Sequence, residues 1–232
     1  MSTSSQGPES RRGAGFPLPR ESSIPALIIA IGGSAGALQP LLKVISDLHK
    51  LPTSKAVIVQ LHSASQVYSS PDVLKSALNE ALNNGPQTTH GINHMQVEEL
   101  PSVPVPILAG MVYVCEPGYE VNITQIGELK RVRSDTSNTT GISKLFSELA
   151  VLQNHALVVQ SVGIVLSGMA GSDAIHGAEE LKAVGGAIIV QEANTCEFAD
   201  MPRSVLNAVP TAVLARPEAR CSTIEPQRRT RS

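Results

Sequence analysis

Uninterrupted apolar runs mark three strands of this chain. They cover residues 26–31 (ALIIAI), 162–166 (VGIVL) and 56–60 (AVIVQ), the last of which ends with the polar Gln60. Strands that are apolar throughout, rather than on alternate residues, are typical of a parallel sheet covered on both sides by helices. The pattern therefore predicts a buried, largely parallel sheet.

Periodicity and turn residues indicate the other elements. Apolar residues at helical spacing predict helices over residues 38–48, 71–82, 142–152 and 174–184, and a short helix that contains 204–208. Further strands are predicted at 112–115, 187–190 and 212–214, with a hairpin formed by 121–124 and 129–132. Residues 83–106 are polar and show no regular pattern. The alternation predicts an α/β fold, a doubly wound, mostly parallel sheet in a three-layer αβα arrangement with a small β-hairpin.

Composition places most of the chain in one domain. Of its 232 residues, 42% are hydrophobic, which is enough to build a sizeable core. Residues 1–24 are rich in Ser, Gly, Pro and Arg and are predicted to form a disordered leader. Residues 217–232 form a basic tail. A single globular domain is therefore expected over residues 25–216.

Charge and cysteine content argue against several functions. A net charge of −2 gives no broad attraction to nucleic acid or membranes. Cys115, Cys196 and Cys221 lie far apart in the sequence, which favours neither disulfides nor a metal site and fits a reducing cytoplasm. No apolar stretch is long enough for membrane insertion. The expected protein is cytoplasmic.

The turn after the first strand carries a G-x-S-x-G pattern, formed by Gly32, Ser34 and Gly36. A serine at a sharp strand-to-helix turn is exposed at the sheet edge beside unpaired N–H groups, that of Ala35 among them, which can stabilise an oxyanion. An ordinary glycine-rich turn and a phosphate-binding loop are the alternatives. The segment lacks the P-loop lysine and the spacing of a dinucleotide fingerprint.

Two further turns lead to the same sheet edge. His62 follows the second buried strand, where it could act as a general base or be a simple loop histidine. Asp173 follows the third and directly precedes a helix, where a carboxylate can orient an imidazole or only cap the helix. The convergence of hydroxyl, imidazole and carboxylate favours a catalytic triad of Ser34, His62 and Asp173.

With these residues in place, the sequence resembles the catalytic domain of CheB-type protein-glutamate methylesterases. The resemblance covers residues 26–214 and is strongest in IGGSAGALQPL (31–41) and GIVLSGMAGSDAIHGAEELKAVGGAIIVQE (163–192). It implies hydrolysis of glutamate γ-methyl esters on methylated chemoreceptors, with deamidation of receptor glutamines in some members. It makes Ser34 the nucleophile, His62 the base and Asp173 the orienting acid. It also implies an oxyanion-binding N–H at Met169 and no cofactor or metal.

Departures from the family pattern leave two functional hypotheses open. Leu61 separates Gln60 from His62, which are adjacent in the family, and Ala170 is an extra residue after Met169. The first hypothesis is an active serine esterase in chemotaxis-type adaptation. The second is a catalytically weakened paralogue that acts as a regulatory or binding module.

Two more differences concern regulation and local backbone. Family members typically carry a phospho-receiver domain, which the short leader cannot form. The expectation is a freestanding esterase domain, or one regulated by a separate response-regulator chain. Ala174 stands where the family usually has Gly.

Overall fold

The structure, a computed structural model, describes residues 25–48, 51, 54–62, 71–83, 95–116, 118–134, 141–155, 160–169 and 171–217. Its strands are β1 Leu27–Gly33, β2 Lys55–Leu61, β3 Gln96–Glu99, β4 Val105–Pro106, β5 Met111–Cys115, β6 Tyr119–Ile123, β7 Glu128–Arg133, β8 Ser161–Val165, β9 Ala187–Gln191 and β10 Val213–Ala215. Its helices are α1 Leu38–Leu48, α2 Pro71–Asn83, α3 Gly141–Asn154, α4 Ile175–Ala183 and α5 Asp200–Ala208, with a 3₁₀ turn at Ala193–Thr195.

Within the described residues, seven strands form one parallel sheet in the order β10-β9-β8-β1-β2-β5-β3. The chain moves outward from β1 through β2 to β5 and then returns to β8 on the other side of β1. The strand order therefore reverses between β1 and β8. In open α/β sheets, ligands bind outside the carboxyl ends of the strands at such a reversal.

Alternate residues of β1 build two separate cores. Ile28 and Ala30 pack with α3, α4 and α5, whereas Leu27, Ile29 and Ile31 pack with α1 and α2. Side chains of a strand point alternately to its two faces, and here both faces are covered. This arrangement confirms the predicted three-layer α/β fold.

The region that showed no pattern contains two strands. Gln96–Glu99 (β3) is the edge strand beside β5, and Val105–Pro106 (β4) joins the hairpin of β6 and β7 as a third antiparallel strand. In β3 only Val97 is buried, because an edge strand needs fewer apolar residues than a central one. The leader and all of the basic tail except Pro217 lie outside the described residues.

Helices α3 and α4 cross in very close contact at Gly177. A Cβ at this position would lie 1.9 Å from the carbonyl oxygen of Ser143. The Gly177 N–H also donates a hydrogen bond of 2.8 Å to the hydroxyl of Ser143. Only glycine permits this approach, which brings the first turn of α3 against the start of α4.

Ala174, directly before α4, has a left-handed backbone with φ of 72°. It is fully buried, and its N–H donates to Oδ1 of Asp173 over 2.8 Å. A left-handed conformation costs a residue with a Cβ about 1–2 kcal/mol. A glycine at this position would not carry that strain.

We therefore expect Ala174→Gly to be tolerated far better than Ala178→Gly, a matched change within α4. Both alanines are fully buried. The A178G variant loses a methyl group (about 0.8 kcal/mol) and helix propensity (about 1 kcal/mol), close to 2 kcal/mol together. A174G loses the same methyl group, but Ala174 lies outside the helix and relief of its strain offsets the loss, so this variant should stay within about 1 kcal/mol of the parent. Urea unfolding measures both, and equal destabilisation would show that Ala174 is not strained.

Candidate active site

Three of the turns singled out in the sequence lie side by side at the carboxyl edge of the sheet. β1 pairs with β2 on one side, with Gly33 opposite Leu61, and with β8 on the other, with Gly32 opposite Val165. Ser34 and His62 each directly follow their strand, and the turn after β8 leads to Asp173. The site lies where the strand order reverses, the expected position for a ligand.

The backbone around Ser34 is held from both neighbouring strands. The Ser34 N–H donates to the carbonyl oxygen of Ser167 over 2.9 Å, and the Gly33 carbonyl accepts the His62 N–H over 3.0 Å. The Ser34 carbonyl accepts the Ala37 N–H over 3.1 Å. The side chain is 2% exposed, and its hydroxyl makes no hydrogen bond to any residue that the structure describes.

Leu61, the extra residue before His62, continues β2 as a regular strand residue and does not form a bulge. β2 pairs with β1 without interruption from Lys55 to Leu61. Leu61 packs into the core on the α1 and α2 side, and the Gln60 amide donates to the Tyr119 carbonyl over 3.0 Å. Because a strand alternates its faces, His62 follows Gln60 toward the α3 and α4 side. Leu61 thus places the imidazole on the side of the sheet where Asp173 lies.

The imidazole contacts a completely buried carboxylate. Nε2 of His62 lies 2.6 Å from Oδ2 of Asp173, and the two side chains are 16% and 0% exposed. Oδ1 of Asp173 accepts the N–H groups of Ser143 over 3.1 Å and of Ala174 over 2.8 Å. A buried carboxylate needs such partners: two backbone N–H groups donate to Oδ1, and the imidazole lies against Oδ2.

The two residues considered for oxyanion binding come from two different turns of the sheet edge. Ala35 is 7% exposed and follows Ser34, whereas Met169 is 50% exposed and lies in the turn after β8. Neither N–H has a hydrogen-bond acceptor among the described residues. Both donors are therefore available to a bound group. The extra residue Ala170 lies outside the described residues.

Gly168 brings the turn after β8 against Ser34. A Cβ at Gly168 would lie 3.1 Å from Cβ of Ser34 and 2.7 Å from Cε of Met201. Backbone hydrogen bonds join Gly168 to Phe198 and Met201. Phe198 and the first turn of α5 therefore hold the Gly168 turn in place beside Ser34.

Both cysteines among the described residues have thiols with raised pKa values. Burial raises the pKa of the Cys115 thiol to about 12 and that of the Cys196 thiol to about 11. Thiols with such pKa values stay protonated at neutral pH, whereas the thiolate is the nucleophile. Cys221 lies outside the described residues.

Within the described ranges, no three His, Cys, Asp or Glu side chains are grouped closely enough to bind a metal ion. None of the helices described is both long and apolar enough to cross a membrane.

Two serines that contact the site were not predicted from the sequence. Ser143 donates its N–H to Asp173, and Ser167 accepts the N–H of Ser34. Ser143 contributes through its backbone, which no residue pattern reveals. Ser167 begins the turn that contains Asp173, and a polar residue directly after a buried strand is the signal that could have identified it.

Comparison with known proteins agrees with this architecture. The family model for CheB methylesterase matches residues 29–220. A protein-glutamate methylesterase/protein-glutamine glutaminase of Lawsonia intracellularis is 26% identical over 78% of this chain and 46% of its own length. One of Trichodesmium erythraeum with the same description is 28% identical over 78% of this chain and 47% of its own length. The chain thus spans about half the length of these curated relatives.

A solved structure shares the fold. The CheB methylesterase catalytic domain of Thermotoga maritima superposes with a TM-score of 0.58 at 21% identity, covering 82% of this chain and 93% of that one. The family match extends over most of the chain, from within β1 to beyond β10. The parallel sheet, the Ser34 turn and the Asp173 turn all lie inside it, so this chain belongs to the CheB methylesterase family.

Proposed function

We propose that the chain is a serine hydrolase that removes methyl esters from glutamate side chains of chemoreceptor-like proteins. The observation that carries this proposal is the 2.6 Å contact between His62 and the buried Asp173, beside the fixed turn of Ser34. An imidazole held by a buried carboxylate is the arrangement that activates a serine.

Acylation begins at Ser34. A hydrogen on Nε2 of His62 directed to Asp173 leaves Nδ1 with the lone pair that can accept the Ser34 proton. Rotation about χ1 of Ser34 is the adjustment that its fixed backbone permits, and catalytic hydrogen bonds often form only when substrate is bound. The serine oxygen attacks the ester carbonyl carbon, and the proton moves to His62.

The ester then breaks down in two stages. His62 returns its proton to the methoxy group, which leaves as methanol, and Ser34 remains bonded to the glutamyl carbonyl. Water next attacks this acyl-enzyme and loses a proton to His62. That proton returns to the serine oxygen, and the glutamate side chain is released. The N–H groups of Ala35 and Met169, which lack acceptors in the described structure, would bind the oxyanion of each tetrahedral intermediate.

The substrate class follows from the relatives. Both curated relatives compared above are named for action on protein glutamate methyl esters and protein glutamine. The same mechanism hydrolyses a glutamine side chain, with ammonia in place of methanol. We propose the methyl ester as the preferred substrate because methoxide is a better leaving group than the amide nitrogen. A methylated chemoreceptor-like helix is the proposed partner.

One observation favours the alternative of a weakened paralogue. The Ser34 side chain is only 2% exposed, and its hydroxyl has no hydrogen bond among the described residues. A hydroxyl that never reaches the imidazole would leave a protein that binds a receptor without hydrolysing it. A serine-directed phosphonate separates the two functions because an assembled site forms a covalent adduct and a weakened one does not.

Replacement of Ser34 is the first test. We expect Ser34→Ala to lower methanol release from methylated receptor membranes by a factor of about 10³ or more, since no other group supplies the nucleophile. Ser76→Ala is the matched control, because Ser76 is exposed on α2, away from the site. Mass spectrometry should place the phosphonate on Ser34. An S34A variant with wild-type turnover would remove the proposal.

Replacement of Asp173 tests whether the carboxylate fixes the protonation of the His62 imidazole. The amide of Asp173→Asn would donate a hydrogen bond to Nε2 of His62, so Nδ1 would carry the hydrogen and could not accept the serine proton. We expect kcat to fall by a factor of about 10³ to 10⁴. Circular dichroism should show an intact fold. Retention of more than about a tenth of the activity would mean that Asp173 only binds the backbone N–H groups of Ser143 and Ala174.

A further inference from the structure

Ser167 lies between β8 and the Ser34 turn and is completely buried. Its carbonyl accepts the Ser34 N–H over 2.9 Å, and its own N–H donates to Oε1 of Gln191 over 3.0 Å. The Gln191 amide donates in turn to the carbonyl of Thr195 over 2.9 Å. The backbone of Ser167 is therefore fixed from the β9 side while it holds Ser34.

The hydroxyl of Ser167 binds the main chain of Ala35, the residue that follows Ser34. It lies 2.8 Å from the carbonyl oxygen of Ala35 and 3.1 Å from that of Phe198, and it accepts the Phe198 N–H over 3.0 Å. A hydroxyl has one proton to donate, and the Ala35 carbonyl is its nearer acceptor. Ser167 thus holds the chain both before and after the Ser34 side chain.

This contact fixes the orientation of a peptide unit. In a trans peptide the C=O and the following N–H point in opposite directions. With the Ala35 carbonyl held by Ser167, the N–H of Gly36 points away from it. Gly36 completes the turn with φ of 73°, a conformation in which glycine is unstrained. The Ser167 hydroxyl therefore helps to set the direction of the chain after Ser34, together with the hydrogen bond from the Ala37 N–H to the Ser34 carbonyl.

We propose that Ser167 is a positioning residue, whose hydroxyl holds the Ser34 turn in the geometry needed for acylation. This inference rests on the proposed esterase function. Ser167 acts through the backbone and touches no reacting atom. A misplacement of about 1 Å at a reacting group can cost about a hundredfold in rate, so the loss of this anchor should slow acylation.

A second buried serine, at the start of β8, provides the control. Ser161 begins β8 and is also completely buried, but its hydroxyl has no hydrogen-bond partner among the described residues. Ser161→Ala removes a hydroxyl oxygen at the start of β8, and Ser167→Ala removes the same atom just after its end. They differ in whether that atom contacts the Ser34 turn.

The experiment compares wild type, S161A, S167A and S167T in methanol release and in phosphonate labelling. We expect S167A to lower kcat and the labelling rate about 10- to 100-fold, with KM changed less than about threefold. S161A should match wild type within about twofold. S167T, which keeps a hydroxyl, should recover most of the rate. A purely structural role would instead change the unfolding temperature and leave the kcat of the folded protein unchanged.

Hydrogen exchange separates this inference from the proposed function. Amide exchange in residues 34–37 should rise about tenfold in S167A and remain unchanged in S161A, whether or not the protein turns over ester. Unchanged exchange in S167A, or equal kcat in S161A and S167A, overturns the inference and leaves the esterase proposal standing. An inert wild type with the expected exchange pattern overturns the esterase proposal and the catalytic role of Ser167, but confirms that the hydroxyl holds the turn.

Discussion

The site depends on the peptide between Gly33 and Ser34, which is hydrogen-bonded to a neighbouring strand end on each side. The Gly33 carbonyl accepts from His62 and the Ser34 N–H donates to Ser167, so the main chain cannot shift without breaking the edge of the sheet. β1 can be held in this way because it is a central strand with parallel partners on both sides. The remaining freedom of Ser34 is side-chain rotation, so an accurate position costs little further entropy when substrate binds.

Much of this arrangement could be predicted from the sequence because buried parallel strands consist mainly of consecutive apolar residues. The three clearest runs became β1, β2 and β8, which are adjacent in the sheet. The turns that follow them therefore had to meet at one edge, and this made Ser34, His62 and Asp173 candidates before any distance was known. The 2.6 Å contact between His62 and Asp173 agrees with that expectation.

The features that sequence reasoning missed depend on pairing and backbone geometry. β3 is an edge strand with one buried residue, so its pattern resembled a polar loop. Leu61, the extra residue between Gln60 and His62, extends β2 by one regular position, and strand alternation then favours the α3 and α4 side for His62. Neither the contribution of Ser143 through its N–H nor the left-handed backbone of Ala174 is visible in residue types.

Burial of the Asp173 carboxylate links this site to the packing of two helices. A carboxylate with no solvent exposure is stable only if its donors are already in place. One donor belongs to the first turn of α3, and that turn lies against α4 only because Gly177 has no side chain. Another is the N–H of Ala174, which is presented by a strained residue. The position of the imidazole therefore depends on a helix crossing and a backbone conformation that have no direct contact with substrate in the proposed reaction.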